Sequence, residues 1–131
     1  MALLFTLGLN TAVTAQDGAS AAIETTITSQ ITALAADDFP KAFGFASPAI
    51  KGIFGSPAKF GAMVQRGYPM VYRPGAVRML GLRDIDGRLW QRIMVTDLAG
   101  ATHMLDYNMI ETPDGWQINA VQLLPDSGVG A

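Results

Sequence analysis

The chain is predicted to fold as α+β, with N-terminal helices packed on a strongly curved antiparallel meander sheet. Three observations predict this. An apolar stripe at helical spacing, Ile23, Ile27, Ile31 and Leu34, lies in the first third of the chain. Three signals that pair Ser or Asp with Pro, "DFPK", "SPAI" and "SPAK", follow it, each a helix start because proline's missing N–H costs nothing in a first turn. From residue 76 onward, four strand-like runs are separated by "DIDGR", "DLAGA" and "TPDGW", each a short link containing glycine.

The 131 residues are enough for one core and too few for two. With 50% apolar and 15% charged residues, the disordered, collagen-like and coiled-coil classes are excluded. Nine basic and eleven acidic side chains leave a net charge of -2, which offers no long-range attraction to phosphates, so no nucleic-acid partner is expected. The absence of cysteine excludes disulfides, zinc–thiolate sites and a cysteine nucleophile. His103 is the single histidine, and the close acidic pairs, Asp37 with Asp38 and Asp84 with Asp86, lack calcium-loop spacing. No metal and no cofactor are therefore expected. Arg66, Arg73, Arg78, Arg83, Arg88 and Arg92 crowd a span holding only Asp84 and Asp86 as acids, the mark of an anion-attracting patch or of a solvated sheet edge.

Residues 1–15, "MALLFTLGLNTAVTA", carry no charge and end in the small-residue pattern Val13-Thr14-Ala15, as a signal peptide cut before Gln16 would. The apolar run is too short to span a membrane, so a single α+β domain over residues 16–124 with a flexible tail over 125–131 is expected, exported and without a membrane span. In that domain Ser20 is placed to cap the first helix, which should end near Asp37. Short helices are predicted over residues 40–46, 48–54 and 57–66, contributing Phe43, Phe45, Ile50, Ile53, Phe54, Phe60, Met63 and Val64 to the core. "YPMVY" has the alternation of a short strand, and longer strands follow over 76–83, 88–96, 102–111 and 116–124.

If all three links are three-residue loops closed by a left-handed glycine, Asp97 faces Ala101 and Thr112 faces Trp116. Gln91, Tyr107, Asn119 and His103 then lie on the core-facing side, the first three as the polar floor of a ligand pocket. The other side gathers Leu80, Trp90, Met94, Met104 and Trp116, crossed by Arg92, Asp106 and Gln122. So much apolar surface predicts a partner, most economically a second copy in a homodimer. A loop differing by one residue would instead carry Trp116 and Ile118 to the Tyr107 side, and the sequence leaves both registers open.

The run "ALAADDFPKAFGFASPAIKGIFGSPAKFGAMVQRGYPMVYRP", with "QRIMVTD" and "DGWQINAVQLL" after it, resembles a bacterial domain-of-unknown-function family, the one numbered 4864. More broadly, helices followed by a bent meander resemble the cone-shaped, nuclear-transport-factor-2-like (cystatin-like) superfamily. The resemblance implies a fold and an exported bacterial protein, periplasmic or secreted. Because that superfamily holds isomerases, dehydratases and non-enzymatic binding domains, it does not imply an activity.

Three functions remain. A non-enzymatic domain binding a small apolar ligand needs only an apolar pocket with a few polar groups, and no catalytic residue is assigned. An isomerase or dehydratase would use Tyr107 or His103 for proton transfer. A structural domain would act through the Trp90 and Trp116 face. The export expectation has a direct check: N-terminal sequencing of protein from its native cell should give a chain beginning at Gln16, and a retained Met1 refutes it.

Overall fold

The apolar stripe forms the buried face of α1 (Ala15–Ala35), where Ile23, Ile27 and Leu34 are wholly buried. The structure, a computed structural model, describes residues 15–125; residues 1–14 of the predicted signal peptide over 1–15 and the tail after Pro125 lie outside them. Ser20, expected as the cap, sits inside α1, since the alanines around it favour continued helix over a competing side-chain cap. The chain leaves α1 through Asp37, whose φ of 58° is left-handed. Arg73 closes this end. Its Nη1 donates to the Ala35 carbonyl at 2.6 Å and its Nη2 lies 3.2 Å from Asp37, placing a cation at the negative end of the helix dipole.

The proline signals are helix starts. α2 (Phe39–Gly44), α3 (Pro48–Phe54) and α4 (Pro57–Gly67) are capped by Asp38, Ser47 and Ser56, whose side chains accept from the backbone N–H of Lys41, Ile50 and Lys59. Gly55, at a φ of 82°, ends α3 in the left-handed conformation that glycine adopts without strain. Ile53, predicted to be core, is 72% exposed on the outer side of α3. The stretch "YPMVY" is not a strand. It forms α5 (Pro69–Tyr72), in which the Val71 and Tyr72 amides return to the Tyr68 carbonyl at 2.9 and 3.0 Å. Proline in its first turn and two buried neighbours, Met70 and Val71, decide a segment too short for periodicity to decide.

β1 (Ala76–Ile85), β2 (Arg88–Thr96), β3 (Thr102–Thr112) and β4 (Gly115–Leu123) form an antiparallel meander in the order β1-β2-β3-β4. Of the three predicted loops, the β2–β3 link has the expected form: the Asp97 amide bonds the Ala101 carbonyl at 2.8 Å and Gly100 is left-handed. The β1–β2 link is one residue shorter, with Ile85 opposite Arg88. Asp86 and Gly87 both take positive φ, 55° and 83°, a turn whose hand matches the twist of the strands it joins. The β3–β4 link is also shorter, with Thr112 opposite Gly115 instead of Trp116.

Each shortened link is compensated by a bulge farther along the outer strand. In β1, Leu80 and Gly81 together oppose Arg92, between the pairs Met79–Ile93 and Leu82–Gln91. In β4, Asn119 is the extra residue between the pairs Met109–Ile118 and Asn108–Ala120. Both registers that the sequence left open are therefore used, one on each side of Asn119. The turn-proximal half carries Trp116 and Ile118 to the core side, and the far half pairs Tyr107 with Val121 and Asp106 with Gln122. Leu82 likewise moves to the core side.

The core lies between this face and the helices and is built on Ile93, Val95, Leu105, Tyr107, Met109 and Ile118 from the sheet. Segment 45–47 seals the edge of β4. The Ser47 amide donates to the Ile118 carbonyl at 2.8 Å and the Ile118 amide donates to the Phe45 carbonyl at 2.9 Å. Ser47, wholly buried, also caps α3 and donates from Oγ to Asn119 Oδ1 at 2.8 Å. Ser47→Ala removes both side-chain bonds and should cost about 1–3 kcal/mol, measured by urea denaturation. An unchanged midpoint would refute the role given to this side chain.

Candidate functional site

Between α1, α3, α4, α5 and the β3–β4 half of the sheet lies a half-enclosed cavity of about 290 Å³. Its position follows from local causes. The Ser47 cap and the bridge to Ile118 hold the start of α3 against the sheet edge, while the Ser56 cap starts α4 across the opening. Leu34, Ile50, Phe54, Phe60, Met63, Val64 and Val71 line it from the helices, and Tyr107, Ile118 and Val121 from the sheet. The Phe60 ring packs against Phe43 and Phe54, with centroids 5.5 and 5.9 Å apart in tilted and edge-on contacts that fix the aromatic wall.

Four polar side chains reach this wall: Gln30, Tyr68, Tyr107 and Asn119. Gln30 Nε2 donates to the Ala42 carbonyl at 3.1 Å, and the Tyr68 hydroxyl donates to the Val121 carbonyl at 3.2 Å. Asn119 accepts from Ser47 and donates from Nδ2 to Asn108 Oδ1 at 3.1 Å. Tyr107 differs. It is 1% exposed, and burial first, then the neighbouring Tyr68, push its hydroxyl pKa up; no hydrogen bond to a described residue contributes. The hydroxyl stays protonated and is free to donate.

Of the four predicted ligand-binding residues, the structure brings Tyr107 and Asn119 to one cavity and places Gln91 and His103 elsewhere. Gln91 does face Tyr107 across the β2–β3 pair, but its amide Nε2 is spent on the carbonyls of Leu80 and Arg92, at 3.4 and 3.0 Å, bracing the β1 bulge. Gln91 Oε1 is buried without a partner among the described residues. His103 Nε2 lies 2.9 Å from Asp97 Oδ2 at the β2–β3 turn, where Asp97 also accepts the Ala99 and Ala101 amides. The His103 bond and those amides hold the Asp97 carboxyl below its ordinary range.

Gln30 and Tyr68 were missed in the sequence. Gln30 was legible, since it falls three residues after Ile27 on the stripe that faces the sheet. Tyr68 was hidden by the reading of its segment as a strand. Among the described residues no three acidic or histidine side chains gather as a metal site, and no helix is long and apolar enough to cross a membrane.

The opposite face of the sheet is differently made. Leu80 and Met104 are 36% and 38% exposed there, with Trp90 and Met94 half-buried beside them. Trp116, expected on this face, is not part of it, because the short β3–β4 link turns its ring to the core side. Asp106 is clasped by Arg92 through two parallel bonds of 3.0 Å and by Arg83 Nη2 at 2.7 Å. Burial raises the pKa of its carboxyl, and the two guanidiniums outweigh that and hold it below the usual range. The pair is structural, and its atoms are turned away from the cavity.

Comparison with curated proteins and with solved structures found no match. A family model described as "Domain of unknown function (DUF4864)" matches residues 16–131, which is nearly the whole chain, and the protein belongs to that family.

Proposed function

We propose that the chain is an exported, non-enzymatic domain that binds a small apolar ligand in the cavity between helices and sheet. The observation that carries this is the cavity itself, mostly apolar with a few polar groups and close to the lower end of the roughly 300–1,000 Å³ usual for small-molecule sites. The non-enzymatic reading is supported by the cavity wall, where no carboxylate and no imidazole appears among the described residues. Proton transfer needs a group that titrates near working pH, and Tyr107 is shifted away from it by burial. Helices laid on a meander support the nuclear-transport-factor-2-like reading of the fold, and the uncharged residues 1–15 ending in Val13-Thr14-Ala15 support export with cleavage after Ala15, to a periplasm or beyond the cell.

Titration with p-xylene followed by NMR tests the cavity. Shifts should concentrate at Phe54, Phe60, Tyr107 and Val121, and Met63→Trp, which fills the space, should abolish them while leaving the fold intact. Absence of saturable shifts in the wild type, or shifts unaffected by Met63→Trp, would refute the site.

A second reading has its own observation, the uncovered apolar group Leu80, Trp90, Met94 and Met104. We propose that this face pairs with a second copy of the chain. Arg78 and Arg88 are exposed on the same face and repel their symmetry mates, so added salt should strengthen the pairing. Light scattering should give a mass approaching the dimer as concentration and salt rise, with Trp90→Glu monomeric throughout. A wild type that stays monomeric at high micromolar concentration and high salt ends this reading.

A further inference from the structure

The polar groups of the cavity are unequally committed. Gln30, Tyr68 and Asn119 each serve the fold, tying α1 to α2, the α4–α5 corner to β4, and the β4 bulge to Ser47 and Asn108. Tyr107 is the exception. It stands on the central strand β3, nearly sealed in protein, and its hydroxyl has no partner among the described residues although it lines the cavity. Tyr107 therefore offers the cavity an uncommitted donor, and a ligand group able to accept its proton gains a hydrogen bond there.

Charge points the same way. Every described residue that lines the cavity is neutral, and the cations of α3 and α4, Lys51, Lys59 and Arg66, stand outside it. An ion entering would give up its hydration for apolar walls without meeting a counter-ion. The volume sets the size. At about 30 Å³ for each water-sized group, the cavity holds on the order of ten such groups.

Resting on the cavity reading above, we propose that its ligand is an uncharged, largely apolar molecule of about ten non-hydrogen atoms, with one hydrogen-bond acceptor that receives the Tyr107 hydroxyl. A carbonyl, ether or hydroxyl oxygen would serve. Apolar walls give affinity, and the lone donor gives selection, because a hydrocarbon of the same shape leaves the hydroxyl unpaired while an acceptor does not. Tyr107→Phe removes the donor without removing any bond to a described residue, so the variant should keep the wild-type melting temperature.

Three probes of equal heavy-atom count separate the components: acetophenone, with a carbonyl acceptor; cumene, its hydrocarbon isostere; and benzoate, which is charged. Affinities are read by NMR titration of the full chain. Acetophenone should bind about two- to ten-fold more tightly than cumene, and benzoate should bind most weakly. In Tyr107→Phe the advantage of acetophenone over cumene should vanish, with cumene itself unchanged or improved. The wild-type comparison stands whether or not the variant folds. Equal binding of acetophenone and cumene, or benzoate as the tightest, overturns the proposal while leaving the cavity as a binding site. Silence from all three probes together with p-xylene overturns both.

Discussion

The edge of β4 is where the fold is decided. Ser47 joins three elements at one buried point: its amide pairs with the Ile118 carbonyl, its Oγ caps α3, and the same Oγ donates to Asn119. An edge strand exposes unpaired amides and carbonyls, and here segment 45–47 satisfies both backbone groups of Ile118, the residue before the bulge. With Asn119 held out of the ladder, the two halves of β4 can keep different registers. Without that extra residue, either Trp116 and Ile118 or Val121 would face away from the core.

The cavity follows from the same junction. α3 is tied to the sheet through its capped start, and the chain then turns at left-handed Gly55 into α4, whose Phe60 and Val64 are deeply buried. Space is left between α3, α4 and the Tyr107–Val121 pair, walled mainly by side chains with nothing polar to offer. Polar groups at such a wall must be engaged or be reserved for something else. Most of them here are engaged in holding the elements that make the wall.

The two sides of the sheet solve the same problem by different chemistry. On the core side, Gln91 spends its amide on the carbonyls at the β1 bulge, so the bulge costs less in unpaired backbone. On the other side, the Arg83–Asp106–Arg92 clasp spans β1, β2 and β3 at the level of that bulge. A carboxylate so nearly buried is tolerable because two guanidiniums offset its lost hydration. The arginine run in the sequence is thus partly an internal counter-charge to one acid and partly, at Arg78 and Arg88, exposed surface.

By itself the sequence determined the fold class, the helix starts, the face of α1 and the four strands. All of these rest on interactions within a few residues: a cap side chain reaching its third neighbour, a proline in a first turn, an apolar stripe at one spacing. It also placed Tyr107 and Asn119 on a candidate wall, and Gln30 was there to be found on the α1 stripe. Only the tertiary structure decided "YPMVY", whose helical turn is set by burial of Met70 and Val71. It alone decided the two bulges, since Leu80 and Asn119 are held by side chains from other elements, Gln91 for one and Ser47 for the other. For the same reason Trp116 turned inward and Gln91 left the cavity. Turn length and bulge position trade against each other over a whole strand, and long-range packing, which local sequence does not encode, selects between them.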